Sequence, residues 1–457
     1  LVGEGTLTIY AWRVRHFAEE TVEEAEIRFT PSGIRHGFRL VLSEDTPGRN
    51  LGANEAREAA VQEGALEWGI DPGRYELLES SQEEQPSGRV DHTFVFEHSD
   101  FQPGEARVRL RLGVAGDRLV EVTHFFHVPE GFLRRYQETR NANESVSLAG
   151  TIVFLIFFLI LGGGAGTVHL LRKRWIEWKV PLAWGAVVAG LMALGSINTL
   201  PLSWMGYNTA IPAQVHVANQ VLMAVLTFGG GTIFLALLFM TGEGLLRLGF
   251  PKEIQLWKFW KAGVANSTPA LGRTAAPYLL VGMELGFVVA FYLVTTSLLG
   301  WWSPAGALVE PDLLATQLPW LTAVSTSLFA AFSEETIFRA IPIGAAAILG
   351  RRHGKNWRWI WGAVILQALV FGASHANDPQ QPAYARVVEI FPTYLGWGIS
   401  CVFFGLVPTI IAHYLYDLVL FSLPLFAAET GGIWLDRSMV VVAGLLPLGM
   451  VLLARLR

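Results

Sequence analysis

Apolar and polar positions run along this chain in two rhythms. Up to about residue 144 the apolar positions come in short bursts. "EAEIRFTPSGIRHGFRLVLSED" predicts two strands around a Ser-Gly turn, and "ANEAREAAVQEGALEWGI" has helical spacing with Asn54 as its N-cap. "RVDHTFVFEH", "ARVRLRLGV" and "RLVEVTHFFHV" alternate with a period of two and predict a three-stranded antiparallel meander. A helix over "PEGFLRRYQETRNA" leads out of this segment. From residue 146 onward the bursts give way to apolar runs of spanning length, at about 146–171, 181–200, 214–246, 275–299, 318–350, 357–376, 390–406, 408–428 and 434–455. Only a short "GLVP" turn separates the seventh from the eighth, so the pattern predicts eight or nine transmembrane helices behind an N-terminal α+β soluble domain.

Composition sharpens the division. Of 457 residues, 52% are hydrophobic and 16% charged, too apolar for an ordinary soluble chain. Residues 1–144 hold 26 acidic and 16 basic residues, the basic ones all Arg, while the remainder holds 13 acidic and 18 basic ones. The expected organisation is an extracytoplasmic domain over 1–144, N-terminal spans and a cytoplasmic loop over 145–274, a core over 275–430 and a last span over 431–457. The single Cys401 excludes a disulfide framework or a cysteine metal site within one chain. No signal-like apolar stretch opens the chain at Leu1, which fits a processed start or a preceding anchor.

Charge also predicts orientation. "RKRWIEWK", "RLGFPKEIQLWKFWKAG" and "RRHGKNWR" fall in alternate connections, whereas "PLSWMGYNTAIP" and the 300–317 loop carry no Lys or Arg. The basic connections are expected on the cytoplasmic side and the 1–144 domain outside.

Charged side chains at membrane depth cost roughly 2.5–3.5 kcal/mol each on insertion scales, so those in the spans call for explanation. "SEETIFR" carries Glu334, Glu335 and Arg339; "FGASHAND" carries His375; "HYLYD" carries His413 and Asp417; the fourth span carries Glu284. Glu335 and Arg339, four apart, are spaced for an ion pair along one helix face, and Glu334 points about 100° away from them. One glutamate therefore reads as scaffold and the other as free for acid–base work. Glu284 by itself reads as structural. His124 and His127 in "HFFH" lie three apart on a predicted strand and face opposite sides, so they read as strand histidines and not as metal ligands.

"EETIFR", "FGASH" and "HYLYD" match, in order and in separate spans, the EExxxR, FxxxH and Hxxx(N/D) motifs. Over about residues 275–430 the chain thereby resembles the CPBP family of CAAX proteases and bacteriocin-processing enzymes. The helix-then-meander order of the first domain is similar to a PepSY-type module. The CPBP resemblance implies an intramembrane endopeptidase, with Glu334 and His375 activating water, His413 and Asp417 stabilising the oxyanion, and Glu335 and Arg339 supporting them. An ionised Asp417 would orient His413, since it has no proton to donate. Phe371, one turn before His375, is expected to pack against the cavity.

Two readings of the chemistry stay open. A metal-free, glutamate-dependent mechanism is favoured over a zinc-dependent one that would use Glu334, His375 and His413; the chain has no HExxH. The expected partners are a membrane-associated protein or peptide substrate and the lipid bilayer, with no nucleic acid, and the expected setting is a bacterial cytoplasmic membrane. A transporter would predict repeated units with broken helices, and no internal repeat is present. A non-catalytic signalling scaffold would not require intact motifs.

Overall fold

The short bursts of alternation build one antiparallel sheet. The computed structural model describes Thr8 and residues 10–253, 255–304 and 310–456. Contacts divide the chain into two units, one reaching to Gln137 and taking in Met205–Ala218, the other made of Glu138–Trp204 and Asn219–Arg457.

In the first unit the strands are β1 (Trp12–Phe17), β2 (Glu24–Phe29), β3 (Arg35–Val41), β4 (Tyr75–Glu84), β5 (Val90–His98), β6 (Arg107–Ala115) and β7 (Arg118–His127). They lie in the order β1-β2-β3-β7-β6-β5-β4 with antiparallel neighbours throughout. The expected Ser-Gly turn joins β2 to β3, with Gly33 at φ 83°, a left-handed conformation that an L side chain resists. The expected meander is β5–β7. Along β6, Val108, Leu110, Leu112 and Val114 face inward and Arg109 and Arg111 face outward towards Glu97 and Glu121. Helix α1 (Ala53–Trp68) lays Ala56, Ala60 and Gly64 on that apolar face, where small side chains allow close approach. Gly52, not Asn54, is its N-cap; Asn54 lies inside the first turn, and no side chain caps the helix.

Strands β1 and β4 are absent from the sequence expectations because both are sheet edges. "YELLESSQEE" is exposed along nearly its whole length, so it never acquires a buried face that would impose alternation.

The second unit is helical: α2 (Glu130–Arg172), α3 (Lys179–Asn198), α4 (Ala213–Gly249), α5 (Thr268–Leu299), α6 (Pro319–Glu335), α7 (Ile341–Arg352), α8 (Asn356–Ser374), α9 (Ala385–Phe404), α10 (Leu406–Ala427) and α11 (Trp434–Leu456). The expected lead-in helix and first span form one run, α2, of 43 residues. Among the described residues, seven helices (α2, α3, α4, α5, α9, α10 and α11) are long and apolar enough to cross a membrane. The chain is an integral membrane protein. The segments expected to span at 318–350 and 357–376 are helical but fall outside that set, because they carry buried polar groups such as Ser325, Ser327, Glu335, Arg339 and Gln367.

The 318–350 segment is not one α-helix. Pro342 lacks the N–H that an α-helical turn would require, and Thr336–Ala340 widens into a π-helical turn in which the Ile341 N–H reaches the Thr336 carbonyl. Close packing holds this break in place: a Cβ on Gly344 would lie 2.8 Å from the Leu245 carbonyl carbon of α4. Gly405, at φ 81°, forms the expected turn between α9 and α10.

Candidate active site

Two helical segments bring five of the motif residues to one place. Glu334 and Glu335 end α6, Arg339 sits in the π turn, and His413 and Asp417 stand one turn apart on α10. The expected Glu335–Arg339 ion pair forms at 3.0 Å with both side chains fully buried. Two charges buried together are stable only while paired, so each depends on the other.

His413 is the hub of the cluster. Its Nδ1 lies 2.9 Å from Glu335 Oε1, the same oxygen that pairs with Arg339. Its Nε2 lies 3.3 Å from Asp417 Oδ2 and 3.8 Å from Glu334 Oε2. With Nδ1–H donated to Glu335, the orientation of the ring is set and Nε2 is the atom turned towards Glu334 and Asp417. The spacing therefore identified the Asp417–His413 pair, while Glu335 proves to be a second carboxylate orienting the same ring. Exposure separates the glutamates: the Glu334 side chain is 32% exposed, Glu335 not at all. Glu334 is the most accessible carboxylate of this group, ahead of Asp417 at 14%.

Aromatic rings close the site from the other side. The Arg339 guanidinium carbon lies 4.5 Å from the Tyr394 ring centre, 4.9 Å from Phe371 and 5.5 Å from Trp397. Its Nε, Nη1 and Nη2 make no hydrogen bond among the described residues, so the ring faces and Glu335 alone compensate its charge. Phe371 packs as expected, stacking on Tyr394 at 3.8 Å. Trp397 packs 5.0 Å from the His413 ring and donates its indole N–H to Glu284, which gives Glu284 its structural role.

His375 stands just beyond the end of α8, half-buried. Its ring stacks on Phe371 at 4.3 Å and its Nδ1 lies 2.8 Å from the Phe371 carbonyl, which leaves Nε2 free to act. Among the described residues no hydrogen bond or ion pair joins His375 to Glu334. Among the described residues, too, no group of three or more His, Cys, Asp or Glu is placed to hold a metal ion.

A second polar network went unread in the sequence. Arg386 pairs with Glu389 at 2.9 Å and with Asp378 at 3.2 Å. Tyr292 donates to Glu389 at 2.8 Å, and Gln380 donates to the Tyr292 oxygen at 2.6 Å. The signal was present in "ARVVE", an Arg and a Glu three apart at the start of an apolar helix. A span drawn from residue 390 leaves both in a loop and hides it.

Comparison with known proteins finds a family match. Residues 316–419 match the family model "Rce1-like: Type II CAAX prenyl endopeptidase Rce1-like". No curated protein and no solved structure matches the chain. Glu334, Glu335, Arg339, His375, His413 and Asp417 all lie inside the matched segment. By its motifs and the matched segment, this part of the chain is similar to the type II CAAX prenyl endopeptidases.

Proposed function

We propose that this protein is an intramembrane endopeptidase that cleaves membrane-associated proteins or peptides with a water activated by Glu334. In this reading Glu334 takes a proton from the water, aided by His375 through that water, and the hydroxide adds to the scissile carbonyl carbon. The oxyanion that forms is held by a donor on His413 Nε2, while Glu335 and Asp417 hold the imidazole in place. Collapse of the tetrahedral intermediate breaks the C–N bond, and the leaving amine takes up the proton that Glu334 received. The observation that carries the reading is Glu334, the most accessible carboxylate of the cluster, set 3.8 Å from an oriented and buried His413. The mechanism is written without a metal ion; a zinc-dependent version using Glu334, His375 and His413 is the competing chemistry.

The same reading puts the basic connections in the cytoplasm of a bacterial cell and the N-terminal domain outside its cytoplasmic membrane. Comparing membrane proteomes of wild-type, Glu334→Ala and His375→Ala strains tests it. Uncut substrates are expected to accumulate in both variants at unchanged expression. Undiminished processing in both would end the protease reading and return the chain to the scaffold or transporter class.

A further inference from the structure

The segment that carries His375 is fastened from outside the matched family segment, by one face of α2. Arg140, Asn143, Ser147 and Gly150 follow at spacings of three, four and three, which puts them on a single helix face. Each meets the chain on either side of His375. Arg140 donates to Asn377 Oδ1 at 3.1 Å, and Ser147 Oγ donates to the Ser374 carbonyl at 3.1 Å. A Cβ on Gly150 would lie 2.7 Å from the Ser374 nitrogen and from Ala373 Cβ, so only glycine lets the two segments come this close.

Asn143 is the centre of the stripe. It is fully buried, and its amide group is used at both ends. Nδ2 donates to the carbonyls of Gln380 at 3.0 Å and Asp378 at 3.3 Å, and Oδ1 accepts from Gln381 Nε2 at 2.6 Å. A buried turn carbonyl such as that of Gln380 is costly to leave without a donor, and Asn143 supplies one. Asn supplies two N–H groups and an acceptor on one short side chain; Asp, Ser and Ala do not. The far end of the turn is held by the Gln381–Trp302 backbone pair at 2.8 and 2.9 Å. Between these anchors the backbone leaves α8, places the His375 ring on Phe371 and proceeds to α9.

We propose that Asn143 is the positioning residue for His375: by clamping the 378–381 carbonyl turn to α2 it fixes where the imidazole stands, so the working site extends beyond the three sequence motifs. The importance of this placement for turnover rests on the proposed protease reading, but the placement itself is testable without a substrate. The histidine rings of the full chain in lipid nanodiscs are isotope-labelled, and the His375 ring signal is assigned by its loss in His375→Ala. Stacking on Phe371 sets it upfield. In Asn143→Ala it is expected to leave that position, and the amides of 374–381 to exchange about tenfold faster or more with solvent. Val188→Ala, a core truncation in α3, is expected to lower stability without moving the signal. Asn143→Asp, which keeps the acceptor but lacks the donors, is expected to behave as Asn143→Ala. Ser147→Ala, which removes one hydrogen bond of the stripe, is expected to move the signal part of the way, and it decides the question should the Asn143 variants fail to fold. A His375 signal unmoved in Asn143→Ala, or in Ser147→Ala where that variant must serve, overturns the proposal. Undiminished processing in His375→Ala would instead end the catalytic reading of His375 and leave the clamp standing.

Discussion

At the residue scale the informative contrast is between two adjacent glutamates. Glu335 is fully buried, ion-paired with Arg339 and hydrogen-bonded to His413, whereas Glu334 is partly exposed. Glu335→Ala leaves the Arg339 charge buried against aromatic rings without its carboxylate, a kind of loss that typically costs about 3–5 kcal/mol. A large fall in thermal stability and in yield is expected, measured by dye-reported unfolding in detergent. Glu334→Gln keeps shape and removes the base. It is expected to melt within a few degrees of wild type while cleavage falls by about a hundredfold or more, the range for losing a general base. Equal stability losses in the two variants would mean that both glutamates are scaffold. Metal removal separates the open chemical alternatives: cleavage by chelator-treated enzyme is expected to match that of untreated enzyme, and loss restored by added zinc would reinstate the zinc reading. Glu335 with Arg339, and His413 with Asp417, were legible because each pair sits at helical spacing, and Glu334 was legible through the EExxxR motif that contains it. Asn143 was not legible, because a lone Asn in a helix gives no sign of what lies across from it.

At the element scale, two of the three motif-bearing segments, 318–350 and 357–376, fall outside the set of span-like helices, while α10 belongs to it. The π turn at Thr336–Ala340 and the glycines that admit α4 against α7 form one device, since the widened turn survives only if its neighbours fit closely. Gly344→Val would push α7 away from the α4 backbone. It is expected to abolish cleavage while leaving the sheet of the first unit folded, as read by hydrogen exchange over residues 90–127. In that sheet His124 of β7 stacks on His36 of β3 at 4.9 Å. Burial first, and then the His36 charge, push its pKa down from 6.5 to about 4. The unfolded chain therefore binds the proton more readily than the folded one. This contribution to stability is complete above pH 6.5, declines as pH falls towards 4 and is flat below that. Protease digestion of the first unit is expected to speed up between pH 7 and 5 in wild type and to do so less in His124→Gln; equal acceleration in both would show that this histidine does not matter. The edge strands β1 and β4 escaped sequence reading for the opposite reason to the site: too little of them is buried to leave a pattern.

At the scale of the whole molecule, the alternation of basic and uncharged connections predicts sidedness, and the single cysteine provides a clean way to test it. Cys401 is buried, so a Cys401→Ser background suits labelling of introduced cysteines. A cysteine at Lys355 is expected to react only from the cytoplasmic side and one at Gln82 only from outside; the reverse pattern would invert the topology. By itself the sequence determined the two-part organisation, the membrane class, the helical spacing of the charged pairs and the likeness of one segment to a protease family. These follow from local composition and period, which short windows of chain carry in full. Only the tertiary structure decided that Glu335 orients His413, that Arg339 is caged by Phe371, Tyr394 and Trp397, that a π turn interrupts the motif helix and that α2 clamps the turn after His375. Each of these depends on which helix packs against which, a choice made by the summed packing of the whole bundle and encoded in no single segment.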